Sequence, residues 1–294
     1  MKQSSQSHSI PALTSVEREP VAAFFSEEAI TEHIADDLDS NPRYSVRKFH
    51  SEILPDDRFV SVYLPPQYLE EEDRRFPVFY LHDGQNLFDG RTSYIAGRTW
   101  KAHTTADELS VNGEIEPVIL VGVANTGLRR MAEYTPTRDI KMGGGEGSSY
   151  GRLLVEELKP LIDRSYRTLS DERNTGLGGS SLGGLISLYL GFSYPEVFGK
   201  LAVMSPSLWW DQRSIFNVVD QTRPRPAARI WLDIGTAEGV RHVRDADHLE
   251  RQLIKRGWQS GVDLAFMKAD GAVHDENAWS ERFGDVLRFL FPPD

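Results

Sequence analysis

The 294-residue chain contains no cysteine. That absence excludes disulfides, thiolate metal sites and a cysteine nucleophile, and it leaves the redox compartment open. Long apolar runs are missing as well. Residues 1–15 hold no hydrophobic core of signal-peptide length, and no segment approaches the roughly 20 apolar residues of a membrane span. The expectation is a cytoplasmic protein with no membrane contact. Basic charge is the third deficit: 33 Lys and Arg face 44 Asp and Glu, for a net charge of −11 with no basic stripe. A nucleic-acid partner, whose phosphates demand a positive surface, is therefore not expected. No internal repeat is evident.

What is present is the run Gly178-Gly179-Ser180-Ser181-Leu182-Gly183-Gly184, which places one serine in a G-x-S-x-G frame. That serine is Ser181. Ser180 would need glycine at position 182 and meets leucine, so spacing alone separates the two. In a nucleophile elbow the serine sits on a strained strand-to-helix turn where only glycine fits on either side. The motif alone is a modest signal, and its context agrees. Residues 174–177 read as a strand, and residues 182–194 as a helix with Leu182, Ile186, Leu188 and Leu190 on an apolar face, closed by Pro195.

A serine hydroxyl needs a base, itself oriented by a carboxylate, and the order expected after an elbow is serine, acid, histidine. Three histidines follow Ser181. His242 and His248 fall in an amphipathic helix over residues 241–256 and read as solvated helix residues. His274 follows a predicted strand, 262–267, in a small-residue loop that leads into a last helix, 277–291, and is the expected base. Two acids compete near the preceding strand, 229–233. Asp233 ends the strand, whereas Glu238 lies beyond the turn Gly235-Thr236-Ala237 on a loop able to reach His274, so Glu238 is favoured and Asp233 read as a structural carboxylate.

Two backbone N–H groups should stabilise the oxyanion. Leu182 N–H comes with the elbow, at a helix N-terminus whose dipole favours negative charge. Gln85 N–H is the second candidate, in the glycine turn His82-Asp83-Gly84-Gln85-Asn86 that follows the strand 77–81. His82 and Asp83 are read as shaping that turn. Neither His82-Asp83 nor His274-Asp275 suits a metal, since adjacent residues on an extended chain point to opposite faces. No metal or other cofactor is expected.

Further strands are predicted at 45–53, 59–64, 117–123 and 201–204. Their alternation with helices predicts an α/β architecture, a mainly parallel central sheet with helices on both faces and an antiparallel edge at the first two strands. Residues 1–43 read as a polar arm with a short helix starting near Phe25 that packs on the rest of the chain, with a lid or a dimer contact, and with it a homo-oligomer, as alternatives; residues 44–294 read as the catalytic domain. The glycine-rich stretch 141–149 reads as a flexible substrate loop. Trp100, Trp209, Trp210 and Arg130 are candidate substrate-binding residues, the indoles as aromatic walls and the guanidinium as a hydrogen-bonding fork. Trp279 is a further aromatic candidate.

Several motifs together resemble the putative-esterase family of α/β-hydrolases. They are His82-Asp83-Gly84-Gln85-Asn86-Leu87-Phe88-Asp89, the strand 117–123, Arg130 with Glu133-Tyr134-Thr135-Pro136, the elbow, and Ser205-Pro206-Ser207-Leu208-Trp209-Trp210. That family includes esterase D, feruloyl and acetylxylan esterases, enterochelin esterases and mycolyltransferases. The resemblance spans about residues 44–292 and implies an α/β-hydrolase fold. It implies Ser181 as nucleophile, His274 as base, Glu238 as acid where the family often has Asp, and Gln85 as oxyanion donor. The implied activity is a serine carboxylic-ester hydrolase acting on acyl or aryl esters of sugars or related small molecules. An acyltransferase with the same acyl-enzyme and a siderophore (catecholate ester) esterase are the alternatives.

Overall fold

The computed structural model describes residues 40–293. The polar arm and the helix expected near Phe25 lie outside the described residues. One eight-stranded sheet organises the rest: β1 (Tyr44–Phe49), β2 (Arg58–Tyr63), β3 (Val78–His82), β4 (Ile119–Val123), β5 (Thr175–Ser180), β6 (Lys200–Met204), β7 (Arg229–Gly235) and β8 (Leu264–Ala269). Their spatial order is β1-β2-β4-β3-β5-β6-β7-β8. β2 runs antiparallel to β1 and β4, and every other pairing is parallel. Helices α1 (Ala102–Val111), α2 (Leu182–Ser193), α3 (Ile215–Gln221), α4 (Val240–Lys255) and α5 (Glu276–Leu290) cover it.

The strands are apolar in nearly every position because both sheet faces are buried. Successive side chains enter different cores: Val78 and Tyr80 of β3 join one cluster with α2, α3 and α4, while Phe79 and Leu81 join the other with α1 and α5. Leu201 and Val203 of β6 face the first, and Ala202 and Met204 the second. At roughly 1.5–3 kcal/mol for each fully buried large apolar side chain, these two layers dominate the stabilisation of the sheet.

Strand and helix positions follow the sequence expectations, and the differences lie at the ends. β1 stops at Phe49 rather than continuing to residue 53, because the Ser51 hydroxyl accepts the Ile53 and Leu54 N–H groups and turns the chain. β5 runs on through Gly178 and Gly179 to Ser180, since β3 and β6 pair with it on both sides. β8 begins two residues later than expected, after a turn in which Gly261 N–H donates to Leu264 O.

The glycine-rich loop expected to be flexible is tied down. Gly143, Gly144 and Gly145 all take positive φ, Gly145 N–H donates to Thr135 Oγ1 at 2.9 Å, and Gly147 N–H donates to Thr135 O at 3.0 Å. A Cβ on Gly144 would stand 2.4 Å from Thr135 Oγ1 and 2.7 Å from the Trp210 ring. Close packing and left-handed backbone, rather than mobility, account for glycine here.

Under the C-terminal end of β3 lies a buried polar cluster. Arg58 and Glu133 pair in two hydrogen bonds of 3.0 and 3.1 Å with neither side chain exposed. The Arg58 guanidinium lies over Tyr150, whose hydroxyl is 2.9 Å from His82 Nδ1. Burial pushes the His82 pKa down to about 3, so the ring is neutral in the folded protein. An unfolded histidine, with a pKa of about 6.5, binds the proton that the folded one refuses. Stability from this site is therefore complete above that value and declines as pH falls toward about 3. Between pH 7 and pH 5 the native protein should lose about 2 kcal/mol more in urea unfolding than His82→Gln does, even if the variant starts less stable. Parallel losses in the two proteins would contradict a neutral buried His82.

Candidate active site

The six strands β3 to β8 all run parallel, so their C-terminal ends meet at one edge of the sheet, where open α/β sheets place their ligand sites. Ser181 follows β5 at that edge with φ 59 and ψ −120. A non-glycine residue at such φ is strained and persists only where its surroundings over-determine it. Two hydrogen bonds do so: Ser181 N–H donates to Met204 O at 3.0 Å, and Ser181 O accepts from Ser207 N–H at 3.0 Å. The Ser181 hydroxyl lies 3.3 Å from Ser207 Oγ. Ser180, one residue earlier, is buried within β5.

His274 follows β8, and its Nδ1 is 2.7 Å from Glu238 Oε2. Glu238 sits in the single turn Thr236–Glu238 after β7. Its other oxygen accepts from the Gly235 N–H at 2.9 Å and the Ser205 hydroxyl at 2.6 Å. Burial alone would raise the Glu238 pKa, but the hydrogen bonds from His274, Ser205 and Gly235 hold it below the ordinary carboxylate value. With Nδ1–H donated to this carboxylate, Nε2 is the ring nitrogen left to accept a proton. The edge of the His274 ring meets Trp279 at 4.9 Å and 85°.

Asp233, the other candidate acid, has a different setting. It is fully buried and accepts from Arg282 Nη2 at 3.0 Å, Trp231 Nε1 at 2.8 Å and Ser205 N–H at 3.1 Å, whereas the carboxylate hydrogen-bonded to His274 is that of Glu238. These donors make it a structural carboxylate behind the site.

A cleft of about 210 Å³ is lined by Ser181, Ser205, Pro206, Ser207, Trp209, Glu238, His242 and His274. It thus gathers Ser181, His274, Glu238 and Trp209. Trp100 is packed against Trp279 and Phe283 in the core, and Trp210 is buried with its N–H on Thr137 O. Arg130 is bound in two hydrogen bonds of 2.7 and 2.8 Å to Asp83. None of these three lines the cleft. His242, expected to be a solvated helix residue, does line it, because α4 starts only two residues after Glu238 and brings its first turn to the strand edge. That position was readable from its distance to Glu238, but helical periodicity concealed it. His248, six residues on, stacks on Phe216 instead. Ser205 and Ser207 were visible only as parts of a motif.

On the other side of Ser181 the turn after β3 is held firmly. Asp83 takes φ 55, and its carboxylate accepts from Arg130 and from Asn125 Nδ2 at 2.7 Å. Burial would raise the Asp83 pKa, yet Arg130 and these hydrogen bonds bring it below its ordinary value. A Cβ on Gly84 would fall 2.5 Å from the Gly122 carbonyl carbon, so the turn presses on the β4 backbone as only glycine allows. Asn86 and Leu87 N–H make the hydrogen bonds of this turn, leaving the Gln85 N–H outside them. The Gln85 side chain is occupied, accepting from Asn125 N–H at 3.2 Å. Leu182 N–H lies in the first turn of α2, where backbone donors have no partner within the helix. Among the described residues no group of three or more His, Asp or Glu side chains is placed to hold a metal ion, and no helix is long and apolar enough to cross a membrane.

Comparison with known proteins bears on the family and the fold. An endo-1,4-beta-xylanase/feruloyl esterase of Xylanibacter ruminicola is 32% identical over 83% of this chain and 30% of its own length. The ferri-bacillibactin esterase BesA of Bacillus subtilis is 27% identical over 74% of this chain and 80% of its own. The crystal structure of the BES protein from Bacillus cereus superposes with a TM-score of 0.70 at 21% identity, covering 95% of this chain and 99% of that one. The profile of the family described as Putative esterase matches residues 51–290. The chain belongs to that family and is a carboxylic-ester hydrolase with the α/β-hydrolase fold.

Proposed function

We propose that the chain cleaves small-molecule carboxylic esters through an acyl-enzyme on Ser181, with His274 as general base and Glu238 as the acid that orients it. The observation that carries this reading is the 2.7 Å contact between His274 and Glu238 in the same cleft as a serine held at φ 59. His274 Nε2 takes the Ser181 proton as Oγ attacks the ester carbonyl. The Leu182 and Gln85 N–H groups stabilise the oxyanion that forms. Collapse of the tetrahedral intermediate breaks the bond to the alcohol oxygen, which leaves with the proton from His274. Water then attacks the acyl-enzyme by the same sequence and releases the acid.

Solvent access favours water over another acceptor: 43% of the His274 side chain is exposed, whereas a transferase needs a closed, dry groove. The name of the feruloyl esterase relative supports an acyl or aryl ester of a sugar or related molecule as substrate. A siderophore ester is the second reading, supported by the ferri-bacillibactin esterase relative. Among the cleft-lining side chains, Trp209 and His242 are the two proposed to contact the substrate. Trp209→Ala and His242→Ala should each raise KM severalfold with a smaller change in kcat; a fall in kcat alone would place them in the chemistry instead.

Turnover of a p-nitrophenyl acyl ester should drop by about 10⁴-fold or more in Ser181→Ala, as losing a triad nucleophile does. Ser180→Ala should keep most of it, and mass spectrometry after a phosphonofluoridate should find the adduct on Ser181. Equal loss in the two serine variants would refute the assignment. Glu238→Gln should lower kcat by about 10³ to 10⁴-fold while unfolding near the native temperature. Asp233→Asn leaves Arg282 without its buried counter-charge, so it should lose about 3–5 kcal/mol of stability and cost the folded protein far less kcat than Glu238→Gln does. The opposite pattern would make Asp233 the orienting acid.

A further inference from the structure

The geometry points to Ser205 as a positioning residue that fixes the Glu238 carboxylate through its hydroxyl, an inference resting on the triad proposed above. Ser205 follows β6 and is 1% exposed. Its φ is 40, in the left-handed region that serine avoids unless held there. Ser205 N–H donates to Asp233 O at 3.0 Å and to Asp233 Oδ1 at 3.1 Å, tying the residue to β7. Two residues on, Ser207 N–H is bonded to Ser181 O, so the segment joins the nucleophile's turn to the acid's strand.

The hydroxyl inventory decides which way the proton points. A serine hydroxyl offers one donor and two acceptor lone pairs. Trp279 Nε1 and Arg282 Nη2, each 3.0 Å away, are groups that only donate, and together they fill both lone pairs. The remaining proton faces one acceptor, Glu238 Oε1 at 2.6 Å. Arg282 is itself fixed, by Asp233 Oδ1 at 3.0 Å and by Ala278 O at 2.9 Å. A buried cation behind the oxygen polarises the O–H bond toward the carboxylate. The result is an unbroken line from Asp233 through Arg282, Ser205 and Glu238 to His274. Trp279 takes part twice, donating to Ser205 and setting its ring against His274.

A residue that merely filled this tight turn would be replaceable by glycine, which takes a φ of 40 without strain. Ser205→Gly therefore separates backbone from hydroxyl. With the protein folded, kcat should fall about 10- to 100-fold, by analogy with the loss of an outer hydrogen-bond partner behind a metal-site ligand, while KM stays within twofold. The low-field proton resonance of His274 Nδ1–H should weaken. On a Glu238→Gln background the same substitution should cost less than a further twofold, since Ser205 acts through that carboxylate. A kcat within twofold of native, or an equal drop on both backgrounds, would overturn the role. Should Ser205→Gly not fold, Ser205→Ala removes the hydroxyl alone and keeps Cβ; a shifted low-field resonance is expected, and an unchanged one overturns the inference. Ser181→Ala distinguishes the two levels: activity surviving in it refutes the triad, whereas a dead Ser181→Ala beside a fully active Ser205→Gly refutes only Ser205.

Discussion

The Glu238 carboxylate is the group on which the arrangement of the cleft depends. It sits with only 3% of its side chain exposed, where an unpaired charge would be costly, and three donors from different parts of the chain meet that cost. Gly235 N–H comes from the end of β7, Ser205 Oγ from the end of β6, and His274 from the end of β8. One carboxylate thus fixes the relative positions of three strand ends. The His274 ring inherits its tautomer and its orientation from the same contact.

Asp233 and Glu238 are five residues apart and play different parts because their environments differ. Asp233 is inside β7, away from solvent, and its neighbours are an arginine and an indole that lock it in place. Glu238 has left the strand, and one of its oxygens faces the loop that carries His274. A similar division holds at β3. His82, inside the sheet, is neutral and packed between Tyr134 and Tyr150, while Asp83, one residue later, is charged and clamped by Arg130. In both cases the residue inside the strand serves the frame.

Much of this was legible beforehand. Eight apolar strands with helices between them predict a covered, mainly parallel sheet, because only burial on both faces explains such continuous apolar runs. Ser181 was readable from steric spacing, and His274 from its place after the last strand. The strand ends were less legible, since Ser51 and Gly261 terminate β1 and begin β8 through local hydrogen bonds that apolar patterning does not register. The aromatic and basic candidates were the least legible. Trp100 and Trp210 are core residues and Arg130 is a clamp on Asp83, whereas Trp209, next to Trp210, lines the cleft.

The sequence by itself determined the order of the elements, the strained serine and the loop that carries its histidine, because these are set by spacing along the chain. Only the tertiary structure decided which acid meets His274, which indole faces the cleft, and that His242, Ser205 and Ser207 join it. Those choices rest on contacts between the ends of β5, β6, β7 and β8, residues up to 93 positions apart from Ser181 to His274 in the chain, and no local pattern records which side chain a neighbouring strand will bring within hydrogen-bonding distance.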